Sequence, residues 1–155
     1  MMIRPATLDA CDLETIVRHR RAMFHDMGHD DELALDMMSA KFREWLRPKM
    51  ASGEYLAWFA VADDGSIAAG AGLWLMDWPP HIIGKAQQRG NILNVYTEPA
   101  HRKKGMARAL MVAALGWCEE KVIDVVILHA SPHGGALYEK LGFVPTNEMR
   151  LIRKQ

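Results

Sequence analysis

The residues most suited to chemistry are Arg102, Lys103, Lys104, Gly105, Met106 and Ala107, a basic run that meets a glycine and opens an amphipathic pattern. A helix N-terminus leaves backbone N–H groups unpaired and carries partial positive charge, so it can hold a phosphate. Gly105 has no Cβ to keep a ligand off the backbone, and Ala107 is the next smallest choice. The three cations add positive charge beside the same turn. Neither GxxxxGK[ST] nor GxGxxG occurs in the chain, which sets aside two common phosphate motifs. The same residues also read as a solvated basic loop in which Gly105 only shapes a turn.

Several elements must position this turn. Residues 91–97 read as a strand that ends at Glu98-Pro99. Met106, Leu110, Ala114 and Trp117 then mark one broad face of a helix. Upstream, a short apolar start leads to a helix capped by Thr7 or Asp9, with Leu13, Ile16, Val17, Met23 and Phe24 on one side and a stop at Gly28. A second helix is expected from about Asp30, with Leu33, Met37, Trp45 and Leu46 spaced for burial and Pro48 beyond its end. Asp63-Asp64-Gly65-Ser66 separates two apolar runs, residues 55–62 and 67–76, as a hairpin turn would. Residues 77–90 read as a long loop, and loops of that length in a small domain are often functional. Residues 124–130 have the composition of a buried central strand. A short helix from Gly134 or Gly135 through Lys140 follows, then a final strand pair ending near Ile152. The resulting order, β-α-α-β-β-β-α-β-α-β, describes one mixed α/β (α+β) domain over residues 1–155.

Composition narrows the partners. The 155 residues include 19 basic and 19 acidic side chains, so net charge gives no reason to expect a nucleic-acid or membrane partner. No signal-type segment opens the chain, and the glycine-rich uncharged run of residues 66–76 is too short to span a bilayer. A cytoplasmic location is expected. Cys11 and Cys118 show no paired or metal-type spacing and read as buried free thiols.

Two segments together resemble the GNAT acetyltransferase superfamily. Asn94-Val95-Tyr96-Thr97-Glu98-Pro99-Ala100-His101-Arg102-Lys103-Lys104-Gly105-Met106-Ala107 is similar to its acyl-CoA motif, and Leu137-Tyr138-Glu139-Lys140-Leu141-Gly142-Phe143 is similar to its other recurrent motif. Ile3-Arg4-Pro5-Ala6-Thr7 looks like the usual first strand and turn, so the likeness spans nearly the whole chain.

The resemblance implies a GNAT-like mixed sheet in which the strand with Val95 and Thr97 splays from the strand with residues 125–128, making a V-shaped cleft. Val95 and Thr97 would offer backbone groups to the pantetheine arm of acetyl-CoA, and the turn from Arg102 through Lys103, Lys104, Gly105 and Met106 to Ala107 would hold its pyrophosphate. The acetyl group would pass directly to the amine of a small molecule or peptide. Tyr138 matches the family's tyrosine acid. Ser131 stands where many members place an asparagine against the cofactor, and Asn91 where many place a glutamate base. Dimers are common in the family, so a homodimer is compatible with the resemblance.

With Asn91 unable to accept a proton usefully, His129 near the end of a strand is a candidate base or water relay, and His81 a second. His129 and His133 do not suggest a metal, because Pro132 breaks any helix between them and no second ligand pair is evident. His25, Asp26, His29, Asp30, Asp31 and Glu32 lie where the first two helices join, a region that often lines the acceptor site in this family. They read either as an exposed acidic helix start or as a wall favouring a cationic amine. The absent glutamate also admits an alternative function, a non-catalytic acyl-CoA-binding or sensing domain.

Overall fold

In a computed structural model describing residues 1–154, the sheet is built from β1 (Met2–Pro5), β2 (Tyr55–Val61), β3 (Ile67–Asp77), β4 (Gln88–Thr97) and β5 (Val126–Leu128) in that spatial order. The first four strands pair antiparallel with their sequence neighbours, and β5 joins β4 in parallel after a helical crossover. The helices are α1 (Ala10–Asp26), α2 (Glu32–Ala51), α3 (Met106–Glu120) and α4 (Gly135–Lys140). No helix among the described residues is long and apolar enough to cross a membrane.

Alternation along β2 sorts the core onto the two faces of the sheet. Tyr55, Ala57 and Phe59 join Leu13, Ile16, Val17, Phe42 and Leu46 under α1 and α2. Trp58 and Ala60 join Leu73, Ile92, Leu110, Met111 and Ala114 under α3. Trp74 packs edge-on to Trp45, with ring centroids 5.6 Å apart, so it is core.

Four local expectations are corrected. In α2 the buried stripe is Leu35, Ser39, Phe42 and Leu46, while Leu33 and Met37 face solvent. That helix also runs through Pro48 to Ala51, because Met50 packs on the core beneath and the Ser52 N–H closes the last turn on the Pro48 carbonyl at 3.0 Å. The β3–β4 ladder continues to Asp77 opposite Gln88, shortening the expected loop. Cys11 is exposed, because its neighbour Asp12 takes the inward position, whereas Cys118 is buried and its thiol is pushed up to about 11 by burial.

The larger correction concerns the C-terminal segment. The final strand pair does not form among the described residues, and β5 lies at the sheet edge with half-exposed residues rather than at its centre. Val144, Met149, Leu151 and Ile152 are exposed, so this segment has no buried face to hold it in register.

Candidate functional site

Strand β4 changes character midway. Leu93 pairs with Gly72 and Tyr96 with Gly70, so Asn94 and Val95 both stand opposite Ala71 alone. This β-bulge is made by Asn94 at φ 56, a left-handed conformation that asparagine tolerates better than most residues. Its effect is directional. Leu93 packs under α1 and α2, and Asn94 points to the same face, where it meets Tyr55 and Arg20. Val95 then packs on the α3 side. The parallel pairing of β4 with β5 covers only Gly90–Val126, Asn91–Ile127 and Ile92–Leu128, and β4 runs on to Thr97 without it.

The turn after β4 passes through a 3₁₀ segment, Pro99–His101, before α3 begins. Lys103 (φ 61) and Gly105 (φ 79) both adopt left-handed conformations. A Cβ on Gly105 would meet nothing within 4 Å, so its backbone conformation is what calls for glycine, and the space over it is open. No side chain caps α3, and the backbone N–H groups of residues 103–108 have no acceptor among the described residues. Two left-handed residues within a run of unpaired N–H groups form a turn suited to an anion.

The side chains of the turn are less free than its backbone. Arg102 donates to the Thr97 carbonyl at 3.1 Å and pairs with Asp26 of α1, so its guanidinium is turned away from the open amides. Lys104 Nζ donates to the Ala100 carbonyl at 3.0 Å. Glu98 pairs with Arg18 of α1 and lies 3.3 Å from Nε2 of buried His19. Helix α1 is thus fastened to both ends of the segment that leads into α3.

The structure brings Ser131 and Tyr138 together around Gly134. The Gly134 N–H donates to the Ser131 carbonyl at 3.0 Å, and the Tyr138 ring lies against the Gly134 Cα. Phe143 closes the other side, with ring centroids 6.0 Å apart. The Tyr138 hydroxyl has no hydrogen-bond partner among the described residues, and burial pushes its ionisation up, so the phenol stays protonated at neutral pH.

His129, just beyond β5, holds Glu148 of the C-terminal segment at 2.7 Å, with both side chains about half exposed. His81 Nδ1 accepts from the Ile83 N–H at 3.0 Å in the exposed loop. Asn91 is half-buried and reaches only the Met76 sulfur, at 4.0 Å. At the α1–α2 junction the acidic residues are largely engaged: Asp26 with Arg102, Glu32 and Asp36 with Arg21, and Asp31 capping the Ala34 N–H at 3.0 Å. Among the described residues no group of three or more His, Cys, Asp or Glu side chains gathers as a metal site.

This geometry can be set beside known proteins. The acetyltransferase (GNAT) family model matches residues 14–143, most of the chain. The chain belongs to the GNAT acetyltransferase family. It is 40% identical to the GCN5-related N-acetyltransferase from Ralstonia eutropha JMP134 over 98% of this chain and 97% of that one, with a TM-score of 0.90. A predicted acetyltransferase from Clostridium acetobutylicum, solved with acetyl-CoA, is 26% identical over 98% of this chain and 95% of that one, with a TM-score of 0.87. The aminoglycoside 6'-N-acetyltransferase from Acinetobacter haemolyticus shares the fold, at 19% identity over 100% and 99% of the two chains and a TM-score of 0.69. No curated protein matches the sequence.

For this GNAT enzyme, sequence reasoning missed Asn94, Tyr55 and Arg20. One signal was available: asparagine is a poor strand former, so Asn94 inside an apolar strand could have marked a bulge. Its link to Arg20 joins residues from α1 and β4 that only the tertiary fold brings together.

Proposed function

We propose that this GNAT domain is an acetyl-CoA-dependent N-acetyltransferase that moves the acetyl group directly to the amine of a small molecule or peptide. The observation that carries the reading is the row of unpaired backbone N–H groups at residues 103–108, shaped by left-handed Lys103 and Gly105. Arg102, Lys103, Lys104, Gly105, Met106 and Ala107 bind the pyrophosphate through main-chain donors, with Lys103 and Lys104 adding charge at the rim. Arg102 acts by bracing the turn against α1.

The end of β4–β5 pairing at Ile92 and Leu128 supports a V-shaped opening between these strands, in which Val95 and Thr97 line the pantetheine arm and Ser131 adds a contact from the far side. When bound, acetyl-CoA supplies an activated acetyl thioester. Tyr138 donates a proton to the departing sulfur, using a hydroxyl with no competing partner among the described residues. His129 takes the proton from the acceptor amine directly or through water, its ring oriented by Glu148. The domain spans residues 1–155, works in the cytoplasm, requires no nucleic acid, membrane or metal, and can pair as a homodimer.

Asn91 favours a second reading, a non-catalytic acyl-CoA sensor, because its half-buried amide occupies the place of a base. Calorimetry with acetyl-CoA followed by thiol release over an amine panel separates the two. Binding with turnover is expected; binding with no turnover on any amine would establish the sensor, and no binding would overturn both.

A further inference from the structure

Arg20 is a half-buried cation without a counter-charge among the described residues. Its Nη1 donates to Asn94 Oδ1 at 2.7 Å, and its guanidinium lies over the rings of Phe42 and Phe24, 4.7 and 5.0 Å from their centroids. Its Nε is buried with no hydrogen-bond partner. Among the described residues no carboxylate pairs with it, although Arg18 and Arg21 on the same helix both have acidic partners. An arginine stays charged at any working pH, so taking it partly out of water without an anion is costly.

The surrounding side chains cannot supply that anion. Asn94 is held with its amide nitrogen on the Tyr55 hydroxyl at 2.7 Å, which leaves only its neutral carbonyl oxygen for Arg20. The opposite amide orientation would set two donors against each other. Tyr55 is buried and its phenol is pushed up to about 12, so it remains neutral. At the α1–α2 junction Asp26, Glu32 and Asp36 are taken by Arg102 and Arg21 and Asp31 caps α2, which leaves exposed Asp30 as the acid with no ion pair among the described residues. The junction therefore offers little free negative charge to attract a cationic acceptor, and the unsatisfied charge facing β4 is positive.

Position gives this charge a use. Asn94 precedes Val95 on the same bulge, which turns Asn94 to the α1–α2 face, where Arg20 of α1 meets it, while Val95 faces α3. Building on the acetyltransferase reading, we propose that Arg20 binds an anionic group, a carboxylate or a phosphate, carried by the amine acceptor. The acceptor would thus be an amino acid, an acidic amine or a phosphorylated amine that approaches β4 from the α1–α2 side. Asn94 and the two phenylalanine rings hold the guanidinium in place for it.

The test is calorimetric binding of paired probes to the protein saturated with coenzyme A: γ-aminobutyrate against butylamine, L-leucine against leucinol, and O-phosphoethanolamine against ethanolamine. The anionic twin should bind at least about tenfold tighter in the carboxylate or the phosphate series, and the favoured series identifies the group. Arg20→Met should reduce that advantage to within about twofold, whereas Arg20→Lys should keep part of it. A merely structural arginine would lower thermal stability or weaken both twins equally without changing their ratio. Equal binding of the twins by the wild-type protein, or an advantage that survives in Arg20→Met, would overturn the proposal. Failure to bind coenzyme A would instead count against the acetyltransferase reading, and the same probe pairs titrated onto the free protein would still report on Arg20.

Discussion

A Cβ on Gly134 would stand 2.8 Å from Cε2 of Tyr138, so this glycine sets where the tyrosine ring lies. Gly134 has ordinary right-handed dihedrals (φ −95, ψ −17), and alanine there meets no backbone strain. Gly134→Ala should therefore act through Tyr138 alone. We expect kcat to fall about tenfold with little change in thermal stability, since a small misplacement of a reacting group is expensive. A stopped assay of thiol release alongside a melting curve checks both halves.

Tyr138→Phe removes the proposed proton donor and keeps the ring. Turnover should drop by roughly 10² while acetyl-CoA affinity stays within about twofold. Because burial raises the phenol's ionisation above its ordinary value, the neutral donor persists through the usual assay range. The alkaline limb of the wild-type profile below pH 9 should then come from another group. Unchanged turnover in the variant would remove Tyr138 from the acid role.

At Gly105 the constraint is the backbone. Valine at φ 79 costs about 1–2 kcal/mol of conformational strain, which the turn can relieve by rotating its amides out of line. Gly105→Val should weaken acetyl-CoA binding by at least about tenfold, measured by calorimetry, with the protein still folded. Wild-type affinity would contradict the proposed pyrophosphate site.

Acid stability should fall in two stages. His19 is buried, and its folded-state pKa is pushed down to about 4, chiefly by burial and then by Arg18. Its contribution is complete above its unfolded value near 6.5 and is lost as pH falls from there through about 4. Asp12 is held down to about 2 by Arg4, which it grips with both oxygens at 2.8 and 2.7 Å, and by Thr7. Its contribution, about 2 kcal/mol, is present above pH 4 and disappears towards pH 2. Denaturant titrations across pH should show both stages. His19→Gln should flatten the first, and Asp12→Asn the second while lowering stability near neutrality.

The parts of this molecule legible in sequence were those written locally. The Gly105 turn, the face of α3 and the Tyr138 segment each depend on neighbours a few residues away, and the structure forms all three. Arg102 shows where such reading stops, because its basic character suited an anion but its side chain is claimed by Asp26 from α1. The bulge at Asn94 depends on Tyr55 and Arg20, which no periodicity connects to it. The final strand pair failed for a related reason. Met149, Leu151 and Ile152 are apolar enough for a strand and β5 leaves an open edge, but pairing in register also needs a buried face, and these side chains are exposed.

The seam between β4 and β5 has a consequence for how the chain assembles. The β2–β3–β4 hairpins join consecutive segments, so these three strands can zip as soon as they are synthesised. Strand β5 must wait for the α3 crossover and is then stitched to β4 at three residue pairs. The meander bearing Asn94 is therefore an early product of folding, and the edge bearing Ser131 and Tyr138 a late one. The same seam is the weakest line for local opening, so brief unfastening there would admit a long, thin molecule without disturbing the meander behind it.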